Sequence, residues 1–302
     1  MVEHQRPKII VIVGPTASGK TSLSLKIAQK FNGEVINADS RQVYKRLNIG
    51  TEKITKEDMN GIQHHLLDVV DVDTIYTATD FKRDATKAIA EISSRSHLSI
   101  IAGGTFFYID TLLEKITTAP VAPNIKLREE LEKLSTDDLF EQLKSKDSER
   151  AESIDKENRR RLIRSLEILS ELATVPTQKV PSQCPYDVLT IGIITDKKEL
   201  RDKLRSRAEK SLQSGMIDET KELLASGVTK ERLSEIGLQY RIIMEYLDGE
   251  LTEETLIQKI EEKVWQYAKR QLMWLKRDEN IKWFTPDNTD TIFSEVAQFL
   301  HN

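Results

Sequence analysis

Residues 14–21 read GPTASGKT, set between five apolar residues, Ile9 to Val13, and an amphipathic stretch running from Thr21 to Phe31. The spacing is G-x-x-x-x-G-K-[ST], and the context is the one the motif requires: a strand before it and a helix opening after it. Gly14 and Gly19 let the backbone curl so that successive N–H groups point inward, and the helix N-terminus adds positive potential. Pro15, Thr16, Ala17 and Ser18 complete the loop. Lys20 is placed to reach terminal phosphoryl oxygens and Thr21 to ligate Mg²⁺. Such a loop binds a phosphorylated ligand without specifying which one. It also needs a strand to launch it and a helix to receive it, which restricts the chain to strand–helix architectures.

The rest of the chain agrees. Short β-branched apolar runs at Ile9–Val13, Val35–Ala38, Ser99–Ala102 and Val188–Ile194 read as buried strands. Helical patterns follow the first three. Thr21 to Phe31 sets Leu23, Ile27 and Ala28 on one face, and Phe81 to Ile92 repeats Ala85, Ala88, Ile89 and Ile92. Strands alternating with helices give an α/β fold, a P-loop NTPase-like parallel sheet covered on both faces. This core is expected over residues 1–119.

Prolines then punctuate the chain at TTAPVAPN and at VPTQKVPSQCPYD. Between them lie charged helical segments, about 125–134, 136–145 and 155–172, so residues 120–185 read as a helical insertion domain between proline-rich hinges. Residues 186–302 supply the last core strand and a helical C-terminal region, with no further strand expected. Leu200, Leu204, Ala208 and Leu212 form one stripe there; Gly227 is a helix stop and Thr252 an N-cap.

Two strand ends carry the chemistry. In a parallel sheet the carboxyl ends face the ligand crevice, so Asp39, in NADSRQVY, belongs beside the phosphate loop. Its carboxylate can hold a metal, orient a hydroxyl, act as a general base, or simply cap a helix. The strand at 99–102 ends in IIAGGT, where a nucleotide hydrolase usually carries an aspartate that organises Mg²⁺ and water. Gly103 and Gly104 stand there instead and permit close approach of another backbone or a flat ligand.

Taken together, GPTASGKT (14–21), NADSRQVY (37–44), GTEK (50–53), HHLLDV (64–69), ATDF (78–81), GGTFFY (103–108), RRLIRSLEIL (160–169) and YAKRQLMWLK (267–276) resemble the tRNA dimethylallyltransferases, in that family's order and over nearly the whole chain. The chain lacks the zinc-finger extension of eukaryotic relatives and so resembles the bacterial type. The resemblance implies that the loop holds dimethylallyl diphosphate. The exocyclic N6 amine of the adenine 3′-adjacent to the anticodon attacks the allylic carbon, and pyrophosphate leaves. It implies Asp39 as general base and Thr16 beside the leaving diphosphate. Arg207 matches the arginine of the helix after the fourth strand. Mg²⁺ is the implied cofactor.

The same resemblance assigns tRNA contacts to Asp39, Ser40, Arg41 and Gln42, to Thr105 and Arg128, and to Arg160, Arg161, Leu162, Ile163 and Arg164. Read without it, the RRLIR run is a solvated basic face pairing with Glu157 and Glu167. Likewise Trp265 and Trp274, at near-helical spacing, read equally as core or as part of a basic–aromatic RNA surface. His64 and His65 look like a metal pair, but no third ligand stands at suitable spacing. The chain departs from the family pattern at Met273, Lys276 and LQYR (238–241).

Composition bounds the alternatives. A net charge of −4 argues against a general nucleic-acid coat while leaving room for a local basic surface. Cys184 is the single cysteine, which excludes an internal disulfide and suits a reducing cytoplasm. No apolar run spans a membrane, MVEHQRPK carries no signal core, and a monomer is expected. The competing readings are a P-loop kinase for a small molecule or nucleotide, using ATP, and a nucleotide-dependent RNA-binding module.

Overall fold

The computed structural model describes residues 6–176 and 184–302, so the middle of the second proline-rich stretch lies outside the described residues. The chain divides into two compact units, Met1–Leu113 with Cys184–Asn302, and Glu114–Gln183.

The first unit begins with β1 (Lys8–Val13), α1 (Lys20–Phe31), β2 (Gly33–Asn37), β3 (His64–His65), α2 (Ala78–Ser94), β4 (Leu98–Ala102) and α3 (Phe106–Leu112). The second unit holds α4 (Ile125–Leu131), α5 (Thr136–Lys146), α6 (Ser148–Ser153) and α7 (Arg159–Leu169). The chain then returns to the first unit with β5 (Asp187–Ile193), α8 (Lys197–Gln213), α9 (Met216–Ala225), α10 (Lys230–Ile236), α11 (Leu238–Leu247), α12 (Glu253–Leu275), β6 (Lys282–Phe284) and α13 (Thr289–His301).

Six parallel strands form one sheet in the order β3-β2-β4-β1-β5-β6. Ile9, Val11 and Val13 face one core layer while Ile10 and Ile12 face the other, so β1 is buried on both sides. Hence its unbroken apolar run. With β4 between β1 and β2, the carboxyl ends of these three strands lie side by side. They carry Gly14, Ala38 and Gly103.

Two strands escape the hydrophobic-run criterion. β3 is two residues long. β6 reads KWF, three residues within a stretch expected to be wholly helical, and it pairs with Ile191–Ile193 of β5. Gly192 explains how: a Cβ there would lie 2.6 Å from Cε3 of Trp283, so only glycine lets the indole lie over β5.

The predicted helix over 155–172 begins only at Arg159. Asn158 caps it by accepting the Arg161 N–H, and α6 has already ended at Ser153. The other boundary signals act as read. Thr77 and Asp80 form a capping box on α2, Thr252 and Thr255 one on α12, and Gly227 takes a left-handed φ of 94° after α9. Leu200 and Leu204 of α8 pack on Ala268 of α12 together with Ala17 of the phosphate loop, and this packing carries α8 to the site.

Candidate active site

The loop at 14–21 has the curl its glycines allow. Gly14 has a φ of 153°, and a Cβ on it would meet the Ile193 carbonyl oxygen at 2.6 Å. Gly19 is left-handed at 98° and forms the N-cap of α1 with no side-chain acceptor, leaving the first-turn N–H groups for a ligand. Ala17 also takes a left-handed φ of 63°, which reverses the chain over the helix end. Lys20 Nζ donates to the Pro15 carbonyl at 2.8 Å. Burial, followed by the nearby Arg207 charge, pushes the Lys20 ammonium down to about 8, while Asp39 and Glu52 pull the other way.

Around the loop, four elements contribute. Asp39 lies two residues beyond β2, and its Oδ1 accepts the Arg41 N–H at 2.8 Å. Ser40 N–H donates to Thr105 Oγ1 at 2.9 Å, and Thr105 Oγ1 donates to Ser40 Oγ at 3.1 Å. Gly103 is required by packing: a Cβ there would sit 2.2 Å from the Ala38 carbonyl carbon. Gly103 therefore admits another backbone, the segment that leads from β2 into Asp39, while Gly104 makes room for the Gln271 side-chain amide, 2.8 Å from where its Cβ would be.

Arg207, on α8, lies 3.4 Å from Thr16 Oγ1 and forms an ion pair with Glu52. The structure thus brings Thr16, Lys20, Asp39, Ser40, Thr105 and Arg207 into one region of the first unit. Gln42 instead donates to the carbonyls of Thr51 and Glu52 at 3.0 and 3.3 Å, bracing the loop that carries Glu52.

Motif reading passes over Gln271 and Glu52. Gln271 is 4% exposed on α12. Its Oε1 accepts the Thr16 N–H at 2.8 Å and its Nε2 donates to the Gly104 carbonyl at 2.9 Å, joining the phosphate loop to the end of β4. Tyr267 Oη reaches the same carbonyl at 3.4 Å, and burial pushes its phenol up to about 12. Nothing in the YAKRQLMWLK string marks Gln271; only the fold shows it buried between Thr16 and Gly104. Trp274 anchors this helix through Asp110 Oδ2 at 2.9 Å, whereas Met273 is 61% exposed.

In the second unit, Glu167 is fully buried on α7 and gathers Arg128 Nε and Nη2 at 2.8 Å, the Asn124 N–H at 2.6 Å, and Arg164. Burial raises its carboxyl, but the bonds from Arg128, Asn124 and Arg164 outweigh that and hold it below the usual range. Arg128 and Arg164 are therefore tied to the unit's own fold; of the RRLIR run only Arg164 pairs with Glu167, and that carboxylate is buried, not part of a solvated face. Leu162 and Ile163 are 0% and 4% exposed and form that unit's core. Their side chains face inward, not toward RNA. Arg160 and Arg161 are exposed, with no ion pair among the described residues.

The histidine pair is structural. His65 bonds the buried Glu34 at 2.6 Å, alongside His97 and Arg95, and His64 Nδ1 lies 3.0 Å from the Ile62 carbonyl. Burial pushes His64 below its ordinary value. Among the described residues no group of three or more His, Cys, Asp or Glu side chains is arranged to hold a metal. No described helix is long and apolar enough to cross a membrane.

A glycine-rich loop after β1, a carboxylate just beyond β2, two flanking cations and a β4 that ends in glycines mark the site of an α/β enzyme. Residues 42–278 match the IPP transferase family model. The chain is 36% identical over 303 residues to the tRNA dimethylallyltransferase 1 of Citrifermentans bemidjiense, covering 99% of each. It is also 36% identical to the tRNA dimethylallyltransferase of Limosilactobacillus reuteri, covering 98% of each. Among solved structures, it resembles the tRNA isopentenylpyrophosphate transferase of Bacillus halodurans, with a TM-score of 0.73 and 34% identity over 98% of this chain and 97% of that one. A eukaryotic dimethylallyltransferase acting on tRNA aligns with a TM-score of 0.76 and 30% identity over 92% of this chain and 74% of its own. The chain belongs to the IPP transferase family.

Proposed function

We propose that this protein is a tRNA dimethylallyltransferase. It moves the dimethylallyl group of dimethylallyl diphosphate onto N6 of the adenine 3′-adjacent to the anticodon and releases pyrophosphate. The observation that carries this reading is the placement of Asp39 at the strand end beside a phosphate loop whose flanking β4 ends in glycines. A kinase would use the same loop, but membership of the IPP transferase family favours prenyl transfer.

The residues divide the work. N–H groups of residues 14–21, Lys20 and Arg207 face the charge that grows on the diphosphate as the allylic C–O bond breaks. Thr16 stands beside that leaving group, its N–H held by Gln271 and its hydroxyl near Arg207. Asp39 accepts the proton of the attacking amine, which is a poor nucleophile until the proton is taken. The target adenine leaves the anticodon stack at a cost of a few kcal/mol, and Ser40, Arg41 and Thr105 surround the carboxylate that receives it. Arg160 and Arg161 contribute phosphate contacts from the second unit.

Mg²⁺ suits this site. Thr21 offers a hydroxyl, a hard oxygen donor, and a buried Ser18 hydroxyl without a hydrogen-bond partner lies in the same loop. Thr21 would hold the ion, which would neutralise developing charge on the departing diphosphate, leaving Asp39 free as the base. The enzyme is proposed to act in the cytoplasm as a monomer; its single free cysteine suits a reducing compartment.

The test is a split between turnover and binding. In Asp39→Ala, prenyl transfer should fall at least about 10³-fold, a large loss for a general base, while tRNA affinity stays within a few-fold. Equal loss of both would make Asp39 a binding or structural residue and remove the base from the mechanism.

A further inference from the structure

Glu52 stands in the site without a role in the chemistry above. It lies in GTEK, on a backbone with a left-handed φ of 56°, costly for a residue with a β-carbon. The loop is built to keep it there. Glu219 accepts the N–H groups of Asn48, Ile49 and Gly50 at 2.8–2.9 Å and the Tyr240 hydroxyl at 2.7 Å. Gln42 braces the Thr51 and Glu52 carbonyls from the other side. A carboxylate presented by this much scaffolding is not a wandering surface charge.

Its partner is Arg207, the same guanidinium that reaches Thr16 Oγ1. Their side chains are 22% and 41% exposed, so the pair is partly screened and adds little to stability. Its consequence is local charge. Lys20 and Arg207 oppose Asp39 and Glu52, two cations against two anions around a loop meant for a polyanion. Burial pushes the Glu52 carboxyl up, with Arg207 opposing, which fits a carboxylate held close to other charges.

We infer that Glu52 is a resident anion that competes with the diphosphate for Arg207 and thereby speeds release of the cleaved pyrophosphate. The inference rests on the reading that the loop at 14–21 holds a diphosphate. When the diphosphate engages Arg207, the Glu52 contact is given up, so part of the binding free energy is offset. When the prenyl group has gone, Glu52 recaptures the guanidinium and pyrophosphate departs with one fewer tether. Glu52 is a positioning residue in this account; it touches Arg207 and not the reacting atoms.

The experiment is calorimetric titration of inorganic pyrophosphate, with Mg²⁺, into the wild type, Glu52→Gln, Arg207→Ala and the double variant. Melting temperatures verify that each is folded, and Glu52→Gln conserves shape. Glu52→Gln should bind pyrophosphate roughly three- to tenfold more tightly, the size expected for removing one like charge at partly screened range. Pyrophosphate inhibition of turnover should strengthen by the same factor. In the Arg207→Ala background the gain should shrink to the part owed to direct repulsion of the diphosphate, because no guanidinium remains to compete for. Unchanged or weaker binding in a folded Glu52→Gln overturns the inference, as does a gain of undiminished size without Arg207. Weaker binding together with lost Mg²⁺ dependence overturns it in favour of a metal ligand. A wild type that binds no pyrophosphate overturns the diphosphate reading itself, and this inference with it.

Discussion

Gln271 accepts the backbone N–H of Thr16 at 2.8 Å across 255 residues of sequence. With its other end on the Gly104 carbonyl, this amide fixes the height of the phosphate loop against the end of β4. Gln271→Leu keeps the bulk and leaves both backbone groups unpaired, at about 1–3 kcal/mol each. The prenyl-transfer kcat should drop by about 10- to 100-fold, the range expected when reacting groups shift by about 1 Å. Steady-state kinetics beside a melting curve distinguish a displaced loop from a collapsed fold. An unaltered kcat would show that the loop holds its shape without the bridge.

Lys20 sets a pH limit on ligand binding. Its ammonium is depressed to about 8, chiefly by burial and then by Arg207, so it is charged below that pH and progressively neutral above it. Pyrophosphate affinity should therefore fall as pH rises from 7 to 9.5. The Lys20→Ala variant, titrated in parallel, removes the contribution of the ligand's own protons. The difference between the two should shrink above pH 8. A difference constant across the range would mean that Lys20 stays charged throughout.

Glu34 is the acid-sensitive support of the sheet. Burial raises its carboxyl, but bonds from Arg95, His65 and His97 pull it down to about 2, from 4.5. That drop corresponds to about 3 kcal/mol, reduced to about 2 because Arg95 is half exposed to solvent. A depressed carboxyl stabilises the fold fully above its ordinary pKa, and the contribution is lost as pH falls from about 4.5 toward 2. Denaturant unfolding of the wild type and Glu34→Gln should differ most at pH 6–7 and converge toward pH 3. Parallel curves would assign the difference to packing instead.

In the second unit, buried and exposed arginines should behave differently. Arg160→Ala and Arg161→Ala remove exposed charges. Each should weaken tRNA binding and lower the slope of log affinity against log salt by about 0.7–1, with no loss of thermal stability. Arg164→Ala leaves Glu167 buried with one fewer partner and should cost stability first, about 1–3 kcal/mol for an unmet buried charge. Filter binding across salt, together with melting curves, checks both. Equal salt slopes for all three variants would contradict the division.

Much of this was legible because it rests on local patterns. Ile9 to Val13 is apolar on every residue since both faces of β1 are covered, and GPTASGKT needs its two glycines where φ is positive. Asp39 could be placed beside the loop because the carboxyl ends of parallel strands face one crevice. What escaped depends on partners distant in sequence. Gln271 gives no periodic signal; its importance lies in Thr16 and Gly104. Glu52 lies in a recognised motif, yet only folding brings it to Arg207. β6 is too short for its residues to show a period, and it forms because Gly192 makes room for Trp283. The arginines of RRLIR look equivalent as a string, and only the burial of Glu167 separates Arg164 from Arg160 and Arg161.

The central claim is that the loop at 14–21 grips a leaving diphosphate and that the acceptor is an anticodon-adjacent adenine. Incubating the protein with Mg²⁺, unmodified tRNA and dimethylallyl diphosphate, then digesting the RNA and weighing its nucleosides, tests it directly. The account predicts an adenosine heavier by one dimethylallyl group in place of a hydrogen, formed without ATP and confined to the position 3′ of the anticodon. Unmodified adenosine in that reaction, with acceptor-dependent consumption of ATP in a parallel one, would contradict it.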